Sequence, residues 1–281
     1  MTPGLGWGVG AAVLFGAFLH ASWNALIKSG PDKALDTALI HVLGCGVGAA
    51  LVLWVGLPRR EALPWIATSV VIHVGYYVTL VGAYRHGDLG FAYPLMRGTA
   101  PLLATLLSVL FLREWPTPQV ALGIVLICTG IVGIAFVGRN PHPRAAVLFA
   151  LANAAIIAVY TLVDGAGARA AGTAASYAVW LTFLEAVPFL CWIRWQRGRE
   201  AVDYISRGWR RGLLGGAASL GAYAIVLWAM TQAPIAAVAA LRETSVLFAA
   251  LIGAIWLKEG FGWPRLAGAA SVVAGVAALK L

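Results

Sequence analysis

Ala92-Tyr-Pro-Leu-Met-Arg-Gly-Thr-Ala-Pro101 sets one arginine, Arg97, between two prolines in a run too apolar for a soluble surface. An arginine at bilayer depth costs roughly 2.5–3.5 kcal/mol on insertion scales. Each proline removes a backbone donor and crowds the preceding turn, so carbonyls come free within a helix-length span. A charge and a loosened backbone together imply a helix facing a cavity, with Pro94 and Pro101 as hinge points.

The rest of the chain agrees with a membrane setting. Hydrophobic residues make up 61% and charged residues 11%, against about 25% charged in an ordinary soluble domain. Mean hydropathy is +0.85. At about 20 apolar residues per crossing, breaks marked by charge, Pro and Gly give ten candidate spans: 5–28, 35–57, 64–84, 90–112, 117–138, 144–164, 174–194, 210–231, 235–257 and 263–280. The segments are long apolar runs without the ten-residue alternation of barrel strands, so the fold class is an all-α integral membrane protein. The first apolar run is too long for a cleaved signal and lacks a basic leader, so it reads as the first span. Residues 194–211, with Trp and Tyr among arginines, read as an interfacial connection.

The net charge of +9 gathers at span ends and implies a lipid bilayer, not nucleic acid, as the partner. Of the 20 lysines and arginines, 13 fall on the side of the first, third, fifth, seventh and ninth connections, 5 opposite, and Arg97 and Arg242 lie mid-span. Positive-inside reasoning then places both termini outside the cytoplasm. Cys45, Cys128 and Cys191 lie in apolar runs without metal or disulfide spacing and read as small buried residues. His20 and His73 have no further ligand types at metal spacing, so no metal is expected. No cofactor and no obligate protein partner are evident, and no P-loop is present.

A shift of 145 residues lays Arg97 on Arg242, Thr99 on Thr244, Glu114 on Glu259, Gly123 on Gly268 and Gly130 on Gly275. The chain therefore divides into residues 1–140 and 141–281, five spans each. An odd number of spans makes the second half inverted relative to the first, and inverted repeats place a substrate site near the midplane, often on interrupted helices.

Several side chains suit that site. Arg97 with Tyr93 one turn before it fits a carboxylate or phosphate; the alternative is a structural arginine paired with a glutamate. Arg242, Glu243 and Thr244 form the matching site in the second half. Neighbours on a helix differ by about 100°, so Arg242 and Glu243 should face different ways, with Arg97 an available partner for Glu243. Glu243 and Glu185 are also candidates for carrying a coupling proton. His73, Tyr76 and Tyr77 form one polar-aromatic stripe, repeated by His20, Trp23 and Asn24 in the first span. Asn153 and Tyr160 share a face of the sixth span, whose end carries Asp164, read as interfacial. The Gly123/Gly130 and Gly268/Gly275 pairs mark close helix packing.

Two five-span halves, each closing with a Leu-(Arg/Lys)-Glu helix end and a Gly-rich last span, resemble the EamA-type branch of the drug/metabolite transporter superfamily. The resemblance covers almost the whole chain. It implies ten helices around a central cavity, with the third, fourth, eighth and ninth spans prominent in its wall and both termini cytoplasmic. It further implies a secondary transporter in a cell inner membrane that moves small molecules by alternating access. Amino acid export, aromatic amino acids included, heads the activities it implies, with multidrug or organic-cation export the alternative. An intramembrane enzyme is the reading from another class, but no nucleophile set or metalloprotease motif is present.

Overall fold

The computed structural model describes residues 6–87, 89–136, 143–255 and 263–279. Among these residues there are ten α-helices and no strand. The helices are α1 (Trp7–Ser29), α2 (Lys33–Val55), α3 (Leu63–His86), α4 (Leu89–Leu107), α5 (Pro118–Ala135), α6 (Arg144–Ala170), α7 (Ala174–Gln232), α8 (Ile235–Arg242), α9 (Ser245–Ile255) and α10 (Trp263–Ala278). Among the described residues, eight helical stretches are long and apolar enough to cross a bilayer. Glu259, the repeat partner of Glu114, lies outside the described residues, as do Arg139, Lys258 and Lys280.

The distribution of polarity is that of a membrane protein. Val71, Val74, Val78 and Val81 line the outer face of α3, and Leu106, Leu110 and Phe111 the outer face of α4 and the turn after it. Asp36, His73, Arg97, Asn153, Asp164, Arg242 and Glu243 are all buried. Apolar surface this extensive has no place in water, and charges inside a bilayer-spanning bundle turn inward.

The expected seventh and eighth spans form the two helical arms of α7, which meet where Gly198 leaves helical geometry. The segment read as an interfacial connection is thus helical. Gly198 adopts φ 53° and ψ −127°, backbone that glycine reaches without the Cβ penalty. There α7 folds back: Gly48 of α2 packs on Val179, and Gly44, one turn away, packs on Gly216. In a straight helix those two α7 residues would stand about 55 Å apart.

The loosened backbone is not where the prolines put it. α4 runs unbroken through Pro94 and Pro101 and becomes irregular only after Leu107, in a wide π-turn over Ser108–Leu112 that ends at Arg113 in the left-handed region. The interrupted helix is the ninth span. α8 stops at Arg242, and Glu243 N and Thr244 N bond to carbonyls three residues back, Ala240 O and Leu241 O. The Thr244 hydroxyl adds a 2.7 Å bond to Leu241 O. A threonine hydroxyl competing for helix carbonyls supplies the break that a proline was expected to supply.

Connections collect at two ends of the bundle. Arg59 N donates to Ala171 O, and Arg169 Nη1 meets Glu114 Oε1 at 2.6 Å. The other Glu114 oxygen accepts from Ile235 N at 3.0 Å and from Ser108 Oγ at 3.1 Å. Arg169 also donates to Met230 O and Ala233 O. Glu114 thus caps the start of α8 while Arg169 caps the end of α7, each helix dipole meeting the opposite charge. At the other end, Asp36 of α2 binds Arg211 and Tyr204 of α7. Asp32 caps α2 and meets Arg197.

The apolar core is lopsided between these ends. Towards the Glu114 end, one continuous cluster joins α1, α4, α5, α6, both arms of α7, α8 and α10. Towards the Asp36 end the packing splits into a cluster of α3–α6 and a smaller one of α2 and α7. α5 and α10 touch through backbone: a Cβ on Gly123 would stand 2.8 Å from Gly275 O, and one on Gly130 2.8 Å from Gly268 O. Cys128 is buried, but Cys45 is only half-buried and Cys191 sits on the outer surface, against the expectation that all three are interior.

Gly130→Val forces α5 away from a rigid carbonyl, so it is expected to destabilise the protein by about 1–3 kcal/mol, as overpacking does. Thermal unfolding of the purified protein in detergent checks this, with Gly133→Val, whose Cβ would meet nothing within 4 Å, as the control.

Candidate functional site

A central cavity of about 160 Å³ lies between α1, α2, α3, α4, α6, both arms of α7 and the end of α8. Its wall includes His20, Trp23, Asn24, His73, Tyr76, Tyr77, Tyr93, Arg97, Asn153, Tyr160, Glu185 and Arg242. Thr244 does not reach it; its side chain is spent on the turn that ends α8. Glu243, Pro94 and Pro101 also lie off the wall.

Glu243 is fully buried behind two arginines. Its Oε2 lies 2.7 Å from Arg97 Nε and its Oε1 3.5 Å from Arg242 Nη2. Arg242 and Glu243 leave the backbone in different directions, Glu243 keeping helical φ/ψ, but both side chains are long enough to touch. The closer pairing crosses from α4 to the turn after α8. Two guanidiniums over one carboxylate leave this spot one positive charge in excess. Arg97 Nη2 and Arg242 Nε are buried without a hydrogen-bond partner, and both side chains border the cavity. A buried donor left unmade costs about 1–3 kcal/mol, which an anion entering the cavity would recover.

Aromatic rings form the adjoining wall. His73 stacks on Tyr160 at 4.6 Å between centroids, and Tyr76 meets Tyr160 edge-on at 5.9 Å. Tyr76 and Tyr77 follow at 5.3 Å. On α1, His20 and Trp23 make an edge contact at 5.1 Å. Trp23, which borders the cavity, keeps its Nε1 buried with no hydrogen-bond partner, a third such donor. Asn24 returns its amide to His20 O at 2.8 Å. Asn153 bridges α6 to α3, donating to Tyr76 O at 3.0 Å and Thr79 Oγ1 at 2.9 Å, while its Oδ1 has no partner. Glu185 faces His73 across the cavity wall at 3.5 Å.

Asp164, read as interfacial, is buried among helices. It is 1% exposed, one oxygen taking the Tyr177 hydroxyl at 3.0 Å and the other the Tyr223 hydroxyl. Its sequence neighbours, Leu162, Val163 and Gly165, carried the signal: a carboxylate amid apolar and small residues belongs inside. Tyr223, His41 and Thr182 also border the cavity unforeseen, because each is a lone polar side chain whose face only the partner helices define. Among the described residues no three His, Cys, Asp or Glu side chains gather as a metal site.

A bilayer-spanning bundle with a polar cavity at mid-depth defines the protein as a multi-pass membrane protein built to hold a small molecule between its helices. The chain belongs to the EamA-like transporter family, whose pattern it matches over residues 6–136 and again over residues 144–281. It is thus a transporter of small molecules of the drug/metabolite type. A solved structure described only as "Crystal structure of protein" has the same fold, with a TM-score of 0.74 and 18% sequence identity. The superposition covers 97% of this chain and 95% of that one. No curated relative matches it.

Glu243→Gln leaves two buried guanidiniums without a counter-charge and is expected to cost about 3–5 kcal/mol. Adding Arg97→Gln should recover part of that loss, since one uncompensated buried guanidinium then remains instead of two. Thermal unfolding of the single and double variants checks the coupling; strictly additive losses would mean that Arg97 and Glu243 do not interact.

Proposed function

We propose that this transporter exports small carboxylate-bearing metabolites, amino acids foremost, across a cell inner membrane by alternating access. The single observation that carries this reading is the Arg97–Glu243–Arg242 group, with its one excess positive charge and two unpartnered guanidinium donors facing an aromatic-walled cavity. A carboxylate accepts from a guanidinium in fork geometry. The rings of Tyr76, Tyr93 and Tyr160 beside it suit an aromatic side chain. His20, Trp23, Asn24, His73, Tyr77 and Asn153 complete the proposed binding wall, with Thr244 supporting it from the α8 turn.

The packing asymmetry supports alternating access. One continuous core seals the bundle towards the Glu114 end, while two separate clusters flank the cavity towards the Asp36 end. A cavity sealed on one side and loosely packed on the other is one of the two states such a transporter visits. Pro94 and Pro101 soften α4 where a switch between them would bend it.

We further read the two halves, 1–140 and 141–281, as inverted repeats that make ten crossings, α7 counted twice and α8–α9 once. The α5–α10 contact supports this. Gly123 meets Gly275, the repeat mate of Gly130, and Gly130 meets Gly268, the mate of Gly123. Residue i against the mate of j, and j against the mate of i, is the signature of a two-fold axis.

The stacked tyrosines also favour a second reading, export of organic cations through cation–π contacts. Uptake by proteoliposomes separates the two. Arg97→Ala should lower uptake of phenylalanine by about tenfold or more and leave uptake of tetraphenylphosphonium little changed. Equal losses for both would sink the carboxylate reading. A thermal-shift screen of the purified protein against amino acids and organic cations should show stabilisation by one class, through linkage.

A further inference from the structure

His73 Nδ1 lies 2.9 Å from the backbone carbonyl of Ser69. A carbonyl oxygen only accepts, so Nδ1 must carry the proton of that bond. In the neutral ring Nε2 then holds a lone pair. It points at Glu185 Oε2, 3.5 Å away, and that oxygen has no hydrogen-bond partner. Without a further proton, a lone pair and a carboxylate face each other in a site where both side chains are largely buried. One added proton turns the contact into an imidazolium–carboxylate or an imidazole–carboxylic acid pair, either of which is attractive.

The neighbours are committed elsewhere. From α3, the Ser69 hydroxyl sits 3.2 Å from His73 Nδ1, the ring nitrogen that also meets the Ser69 carbonyl. Asp164 of α6 is occupied by Tyr177 and Tyr223 of α7. From α2, His41 places Nδ1 on Thr37 O at 2.8 Å and receives the Tyr77 hydroxyl at Nε2, 3.3 Å away. Tyr160 of α6 covers the His73 ring face, and Tyr76 meets its edge. Arg97, Arg242 and Glu243 form their own group, and His20 of α1 pairs with Trp23.

We propose that His73 and Glu185 form a single-proton site that couples transport to the proton gradient. The proton enters from water in the cavity, is held between Nε2 and Oε2, ties α3 to the first arm of α7, and leaves as H⁺ to the other side when the bundle switches. This rests on the transporter reading, and two measurements keep the fates of the two ideas apart. The first needs no substrate: infrared titration of the purified full chain should show a carboxylic-acid band that vanishes as pH rises and is missing in Glu185→Gln. In His73→Gln the midpoint of that band should move by about one unit or more, because its charged or hydrogen-bonding partner is gone. Identical titrations of wild type and Glu185→Gln overturn the proposal.

The second measurement uses proteoliposomes with labelled phenylalanine. The response of phenylalanine accumulation to an imposed pH gradient should fall about tenfold or more in Glu185→Gln and return in Glu185→Asp. Driven accumulation that survives in Glu185→Gln overturns the coupling even if the infrared band behaves as expected. Wild type that takes up no phenylalanine overturns the amino acid reading instead. The gradient experiment is then decided with tetraphenylphosphonium, by the same comparison.

Discussion

One buried carboxylate shared by two guanidiniums holds the centre of this protein together. Glu243 lies beneath Arg97 and Arg242 at a depth where neither arginine is tolerable alone. Taking any of the three out of water costs several kcal/mol, and the attraction among them offsets that only at close range. The geometry therefore has to bring the end of α8 against the middle of α4. The ninth span breaks just after Arg242, where Glu243 and Thr244 bond to carbonyls three residues back, and Glu243 there reaches Arg97. The same turn leaves the charge unbalanced by one and two donors unmade, which fits the centre for an anion as well as for cohesion.

Around that centre the helices follow from the same constraint of a medium without water. Helices satisfy their own backbone groups, and side chains cap several of the ends. Glu114 takes the first free N–H of α8 and Arg169 two of the last carbonyls of α7. With the Arg59–Ala171 contact they tie four connections at one end. Asp36, Arg211 and Tyr204 tie fewer elements at the other. Stronger ties and a continuous core at one end, and weaker ties with divided packing at the other, give the cavity its sidedness.

The class of fold was open to reading because composition and span length are local properties. Runs of about twenty apolar residues with charges at their ends specify helices across a bilayer whatever their neighbours do. The repeat was visible for the same reason, as Arg97 and Arg242 are matched by spacing alone. The site was partly legible: His20, His73, Tyr76, Tyr93, Arg97, Tyr160, Glu185 and Arg242 stood out as polar or aromatic residues in apolar runs, and they meet at one cavity. The break in the ninth span was not, since prolines advertise a kink and Thr244 does not. The partners of Asp164 were not legible either, since nearness to a span end says nothing of which side chains bury a carboxylate; two tyrosines of α7 do so.

By itself, then, the sequence determined which residues had to leave lipid, since burying a charge in hydrocarbon is costly from any position. Only the tertiary structure decided which partners they found. Glu243 settled between Arg97 and its own neighbour Arg242, His73 came to face Glu185, and Asp164 went to two tyrosines of α7. Such pairings depend on distances of 3–4 Å between helices far apart in the chain, which spacing along one helix does not encode.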